Sequence, residues 1–309
     1  MGFCQGARSD HLIMHEAFAA YEAVRHRLPS VQRSGNCIRK ANLEDIAEAF
    51  DVFLLDAFGV LNIGETAIEG VPERVAALQK SGKRVLVVSN AAGFPHASLM
   101  EKYARLGYDF APEDVITSRK AALKGVRSSL DRHWGLMATE AFGRADLEGL
   151  NITYLAEDKS EYDAAEGFLL LGSAVWTEER QDLLEAALIR NQRPVFVGNP
   201  DIVAPRETGF STEPGSYAHR LADRTGVEPY FFGKPFGNIF DLVFERLEND
   251  VDCSRIAMVG DSLHTDILGG QAANVKSVLI AGYGFFQGHE VAEAIAASGI
   301  KPDYILDRP

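Results

Sequence analysis

The sequence predicts an α/β protein: a doubly wound, Rossmann-like parallel sheet with a second α/β module inserted into it. Three observations carry that prediction. Continuous apolar runs at Val52-Phe53-Leu54-Leu55, Val85-Leu86-Val87-Val88 and Ile256-Ala257-Met258-Val259 each stop at turn residues, the pattern of strands buried on both faces. Helical stretches opened by proline and closed by glycine alternate with them, at 72–81 before Gly82 and between Pro95 and Gly107. Strand, helix, strand, helix is the order that builds a parallel sheet covered on both faces. A middle block brings strand-like runs of its own, Phe168-Leu169-Leu170-Leu171 and Pro194-Val195-Phe196-Val197, with a helix at 178–190 that Thr177 caps.

Taken in order, residues 1–9 carry no signal for an element. A helix is expected over 11–27, with Leu12, His15, Ala19 and Val24 on its inner face, and a polar loop over 29–40. Asn42 caps a short helix through Phe50, in which Leu43, Ile46, Ala47 and Phe50 recur at helical spacing. The first buried strand follows, then a small polar loop over 62–70. Beyond the middle runs, Asn199-Pro200-Asp201 opens a loop rich in proline and glycine that continues through Pro214-Gly215. A helix at 237–248, the strand at 256–259, a helix ended by Gly269-Gly270, and strands at 276–280 and 303–306 complete the chain. It contains no internal repeat and no low-complexity segment.

Composition bounds the function. A chain of 309 residues buries a sizeable core and suffices for two domains. Its 46% hydrophobic and 24% charged content is that of an ordinary globular protein. A net charge of −13 argues against a nucleic-acid partner, because a phosphate backbone is met by clustered Lys and Arg. A small phosphorylated ligand needs only a local cationic pocket. Cys4, Cys37 and Cys253 are widely spaced and form no Cys-x-x-Cys, which points to a reducing cytoplasm rather than a disulfide framework or thiolate zinc site. The apolar Leu12-Ile13-Met14 is broken by His11 and His15, and no run approaches the ~18 residues of a membrane span, so no membrane partner is expected.

Four places carry chemistry. Asp56 ends the first buried strand, and Gly59 lets the chain turn sharply just beyond it. The C-terminal edge of a parallel sheet is where open α/β folds bind ligands. A carboxylate there is costly to bury unless it is paired or bound to a cation. Read alone, Asp56 serves equally as a turn opener. Ser89-Asn90 follows the second strand and alone reads as an ordinary turn. Lys234 stands ahead of a helical pattern; most lysines are solvated, but the flanking Phe231, Phe232 and Pro235 argue for a position near the core. Gly260-Asp261-Ser262-Leu263-His264-Thr265-Asp266 follows the third strand, where Asp and Ser alone read as helix caps.

In that chain order the four pieces resemble the haloacid dehalogenase-like hydrolases. The resemblance runs over residues 51–306 and leaves only the N-terminal leader outside. Both the insertion point, between the Ser and Lys segments, and Asn199-Pro200-Asp201 resemble the class IIA subfamily with its C2-type cap. The resemblance implies a leader at 1–40, a core domain at 41–119 and 229–309, and a cap at 120–228. It also implies a Mg²⁺-dependent phosphatase of small phosphate monoesters that works through an aspartyl-phosphate. Asp56 would be the nucleophile. Asp56, Asp261 and the backbone carbonyl of Phe58 would hold Mg²⁺, which screens an anionic nucleophile from an anionic substrate. Asp266 would stand behind them, orienting Lys234 or a water at the metal. Ser89, the Asn90 backbone N–H and Lys234 would bind the transferring phosphoryl group. Asn199 and Asp201 are the cap residues expected to face substrate. Class IIA relatives also suggest a homodimer through the cap. The partner is a small phosphorylated metabolite; a sugar phosphate, a nucleotide, a phosphoglycolate-like acid and pyridoxal phosphate all fit.

One residue departs from the family pattern. Family phosphatases carry an Asp two residues after the nucleophile, which protonates the leaving group and then activates water. Here that position is Phe58, which does neither. Three readings compete. The first is a phosphatase that has lost or relocated its acid: without one its rate depends steeply on leaving-group pKa, whereas a flat dependence means that another residue supplies the proton. The second is a 2-haloacid dehalogenase, whose motif resembles Asp56-Ala57-Phe58-Gly59 but which works without metal and lacks the acidic loop. The third is a non-catalytic relative that binds a phosphorylated ligand or a protein. The joint presence of Asp56, Ser89, Lys234, Asp261 and Asp266 favours the first. Other signals are set aside. Gly282-Tyr283-Gly284 misses the spacing of a dinucleotide fingerprint and reads as a loop. His96, His133, His219 and His264 share no metal-ligand spacing and read as surface residues, while Trp134 and Trp176 read as core.

Overall fold

All four residues of Val52–Leu55 are buried, because the strand lies inside a seven-stranded sheet packed on both faces. The computed structural model describes residues 13–129, 131–206, 209–248 and 251–309. Side chains alternate across the strand as the pleat requires. Phe53 and Leu55 join Val75 and Leu78 of the Val71–Lys80 helix and Leu99 and Tyr103 of the His96–Arg105 helix. Val52 and Leu54 join Ile239, Phe240 and Val243 of the Gly237–Arg246 helix on the other face. Each fully buried side chain of this kind contributes about 1.5–3 kcal/mol.

The sheet is parallel throughout. Its order is Ile38–Lys40, Tyr304–Leu306, Lys276–Ile280, Ile256–Gly260, Val52–Leu55, Arg84–Ser89 and Val115–Thr117. Between the last of these in space and the return of the chain at Ile256, a second parallel sheet is inserted. Its five strands run in the order Tyr230–Phe231, Val195–Val197, Gly167–Leu170, His133–Met137 and Asn151–Tyr154. Trp134, Leu136 and Leu169 pack on one of its faces, and Phe168, Leu170, Val195 and Val197 on the other. Trp134 and Trp176 are both buried, as expected of core residues. Among the described residues no helix is long and apolar enough to cross a membrane.

Several local expectations change. The segment expected as a loop over 29–40 ends in the strand Ile38–Lys40, which pairs with Tyr304–Leu306. All three residues are exposed at the sheet edge, so no apolar pattern marks them. The N-terminal helix is Met14–Ala23 and buries Met14, Ala17 and Tyr21, while His15 and Ala19 face outward. Leu12, expected on the inner face, lies outside the described residues. Tyr21 faces inward because its hydroxyl finds backbone partners there, at the amide of Ile202 and the carbonyl of Val203. Gly269 and Gly270 lie inside the helix Leu268–Ala272 rather than ending it. A Cβ at Gly269 would press on Phe240 and the Pro235 backbone, and one at Gly270 on Met258, so close packing calls for glycine at both. The loop after Asp201 contains a hairpin of Val203–Pro205 and Phe210–Thr212, and Pro214 starts a helix that runs to Thr225. His219 and His264 are buried rather than on the surface: His219 stacks on Phe231, and His264 stacks on Tyr21.

Candidate active site

Three neighbouring strands end at one edge. Leu55 is in register with Val259 on one side and Val87 on the other. The residues just beyond them, Asp56, Ser89-Asn90 and Asp261, therefore gather at the C-terminal edge of the sheet. Asp56 starts the turn with its amide still bonded to the Val259 carbonyl at 2.9 Å. Gly59 turns the chain with φ +76°, and a Cβ there would stand 2.5 Å from Asp261 Oδ2. Phe58 bridges to Asn62 within the same turn.

Lys234 arrives from the far end of the inserted module and is buried. Its ammonium lies 2.6 Å from Asp56 Oδ1 and 2.8 Å from Asp266 Oδ1. Burial alone would lower its pKa, but Asp266 and Asp56 together hold the ammonium above its ordinary range. Asn90 fixes the lysine backbone: its Oδ1 accepts the Lys234 amide at 2.8 Å, and its Nδ2 donates to the Lys234 carbonyl at 2.9 Å. The same Nδ2 donates to Asp201 Oδ1 at 2.7 Å. The Asn90 side chain is thus spent on protein partners, which leaves its backbone N–H for a ligand. Ser89 Oγ accepts the Ala91 amide at 3.2 Å.

Burial pushes the Asp56 carboxyl up to about 6, against the pull of Lys234 and with a further push from Asp266. Asp261 is driven well above the ordinary carboxylate range, by burial and then by the charges of Asp266 and Asp56. One oxygen from each of Asp56, Asp261 and Asp266 lies within 4.8 Å of the others. Crowded, buried carboxylates with hard oxygen donors suit a small divalent cation. Asp261 Oδ2 accepts the Phe285 amide at 2.8 Å, which fixes that carboxylate. Asp266 Oδ2 accepts the Ser262 amide at 3.1 Å. The donor set therefore fits a divalent metal.

A cavity of about 890 Å³ opens over this edge. Asp56, Ser89 and Lys234 line its floor. The Asn199–Glu213 stretch lines a wall, where Asn199 Nδ2 donates to Glu213 and Asn199 Oδ1 accepts the Asp201 amide at 3.0 Å. Asp201 itself faces the cavity and, through Asn90, the lysine. All nine residues singled out from the sequence thus meet at or beside one cavity.

Others were missed. Gly284, set aside with the failed fingerprint, and the next residue, Phe285, hold Asp261: a Cβ at Gly284 would run into Asp261 Oδ2, and the Phe285 amide bonds to it. The usable signal was its place after Lys276–Ile280, another strand ending at the same edge. Tyr21 lines the cavity from the N-terminal helix, and the neighbouring Glu22 bonds to His264 Nε2 at 2.5 Å. No local pattern announces either contact, since each joins residues more than 180 positions apart.

Comparison with known proteins places the chain in a family. Residues 53–152 match the family model for haloacid dehalogenase-like hydrolases, and residues 231–308 match a HAD-hydrolase-like model. Glycerol-3-phosphate phosphatase of Gallus gallus is 31% identical over 283 residues, spanning 83% of this chain and 89% of that protein. Chronophin of Bos taurus is 30% identical over 295 residues, spanning 87% and 94%. The solved p-nitrophenyl phosphatase from Archaeoglobus fulgidus superposes with a TM-score of 0.70 at 26% identity, covering 84% of this chain and 96% of that one.

Proposed function

The chain belongs to the haloacid dehalogenase-like hydrolases, among the class IIA phosphatases, and we propose that it hydrolyses small phosphate monoesters in a Mg²⁺-dependent reaction through Asp56. The observation that carries the reading is the contact of a buried lysine with two carboxylates beside a third, at the floor of a cavity. Asp56 is the nucleophile: its carboxylate attacks phosphorus, and the ester is exchanged for an aspartyl-phosphate that water then opens. Asp56, Asp261 and the Phe58 carbonyl would hold Mg²⁺, which supplies positive charge where nucleophile and phosphoryl group meet. Lys234 shares the phosphoryl charge, and Asp266 holds that lysine in position. Ser89 and the Asn90 backbone N–H bind phosphoryl oxygens. The inserted module, over 120–228, selects the substrate.

The acidic pair Asp261 and Asp266 beside Asp56 weighs against the metal-free dehalogenase reading. Mass mapping of acid-quenched single turnovers tests the chemistry. A phosphoryl label on Asp56 is expected; label on another residue contradicts the assignment.

A further inference from the structure

Phe58 has no proton to give, and a phosphate ester whose leaving group departs as a bare anion reacts slowly unless that anion is stable. We propose that Asp201, carried on the inserted module, is the general acid that protonates the leaving group and then the base that activates water. The proposal rests on the reading of Asp56 as the nucleophile.

The geometry singles Asp201 out. It lines the same cavity as Asp56, and a single amide, Asn90 Nδ2, ties it to the Lys234 carbonyl. Its position against the core machinery is therefore set to within one side chain. Its backbone is held as well: the Asn199 side chain accepts its amide, its carbonyl accepts the Gly215 amide at 3.0 Å, and Tyr21 bonds to the next two residues. No cation pairs with its carboxyl among the described residues, and the Asn90 bond uses only Oδ1. Of the other acidic wall residues, Glu65 is engaged by Lys102 and Arg105, Glu213 by Arg206 and Ser211, and Glu101 is exposed to solvent on the His96–Arg105 helix. No described histidine lines the cavity. Burial holds the Asp201 carboxyl up at about 8, against the Asn90 hydrogen bond and the Lys234 charge, with Asp56 and Glu213 adding to the rise. A carboxyl in that range carries its proton at neutral pH.

The steps balance. As an Asp56 oxygen bonds to phosphorus, the ester P–O bond breaks and its electron pair takes the Asp201 proton, releasing the alcohol. The Asp201 carboxylate then takes a proton from water as the water oxygen bonds to phosphorus. The Asp56 O–P bond breaks, phosphate leaves, and both carboxyl groups regain their starting states.

The test compares wild type with Asp201→Asn on phenyl phosphates of rising leaving-group pKa, from 4-nitrophenyl through phenyl to 4-methoxyphenyl, in rapid-quench single turnovers. The amide keeps an acceptor for Asn90. Wild type should show a shallow dependence on leaving group. The variant should keep a nitrophenol burst from 4-nitrophenyl phosphate, followed by slow turnover, while release from 4-methoxyphenyl phosphate falls on the order of 10²-fold. The burst also proves that the variant is folded. An equal loss across the series, or an unchanged slope, overturns the proposal. A wild type inert toward every member, with Mg²⁺ present, removes the phosphatase reading and this proposal with it.

Discussion

Asp56 and Asp201 face one cavity from the two halves of the molecule, and their neighbours differ. Asp56, on the core sheet, has the Lys234 ammonium 2.6 Å away. Asp201, on the inserted module, has only an amide nitrogen at 2.7 Å. Burial raises both carboxyl groups, but to about 6 beside the ammonium and to about 8 beside the amide. A full charge offsets desolvation better than a dipole does. Two carboxyl groups whose surroundings push them apart suit two roles, one attacking as an anion and one donating a proton.

That comparison breaks first at Lys234. Lys234→Met removes the ammonium and leaves Asp56 and Asp266 without their cation. Urea unfolding at pH 8 should show a loss of about 3–5 kcal/mol, and activity should fall on the order of 10²–10³-fold. Gly284→Ala attacks the metal side of the core site. Its Cβ would meet Asp261 Oδ2 at a φ of +69°, so the Mg²⁺ concentration for half-maximal activity should rise about 10–100-fold. Gly82→Ala, with φ +84° and open space around its Cβ, provides the control for backbone strain and should leave that concentration unchanged.

Asp201→Asn sharpens the comparison through stability. The native carboxyl titrates above its unfolded value, so the folded state binds the proton more tightly. Its contribution is fully present below about pH 4 and is lost as pH rises to about 8. The groups acting on Asp201 are Asn90, Lys234, Asp56 and Glu213, and in the variant only the titration of residue 201 itself is gone. Urea midpoints of variant and wild type should coincide near pH 4, and the variant should be the more stable by more than about 1 kcal/mol at pH 8. Tyr21→Phe gives the smallest effect. It deletes two long hydrogen bonds, of 3.3 and 3.4 Å, to Ile202 and Val203, so a thermal unfolding shift worth about 0.5–1 kcal/mol is expected.

The core was legible because its strands are continuous apolar runs stopped by turn residues, and because parallel strands bring their C-terminal ends together. That rule places Asp56, Ser89 and Asp261 at one edge, but each alone also fitted a turn or a cap, and only their ordered resemblance to the family gave them roles. Lys234 was readable through the aromatic residues around it. Asp201 was visible only as part of a motif. Its surroundings depend on Asn90, which lies 111 positions away, and no local pattern reports that distance. The inner face of the N-terminal helix was misread for a similar reason: a tyrosine turns inward when backbone groups of another segment meet its hydroxyl. Ile38–Lys40 escaped notice because an exposed edge strand needs no apolar face. Gly269 and Gly270 misled because their reason is tertiary, the approach of Phe240, Pro235 and Met258, and not the end of a helix.

The most direct measurement is phosphate release from p-nitrophenyl phosphate by wild type and Asp56→Asn, each with Mg²⁺ and with EDTA. A good leaving group needs little protonation, and Asp201 is intact in both proteins, so the comparison isolates the core site. Release by wild type with Mg²⁺, abolished by EDTA and reduced on the order of 10⁴-fold or more in Asp56→Asn, is the predicted result. Undiminished release by Asp56→Asn, or release from wild type that persists in EDTA, would contradict the account.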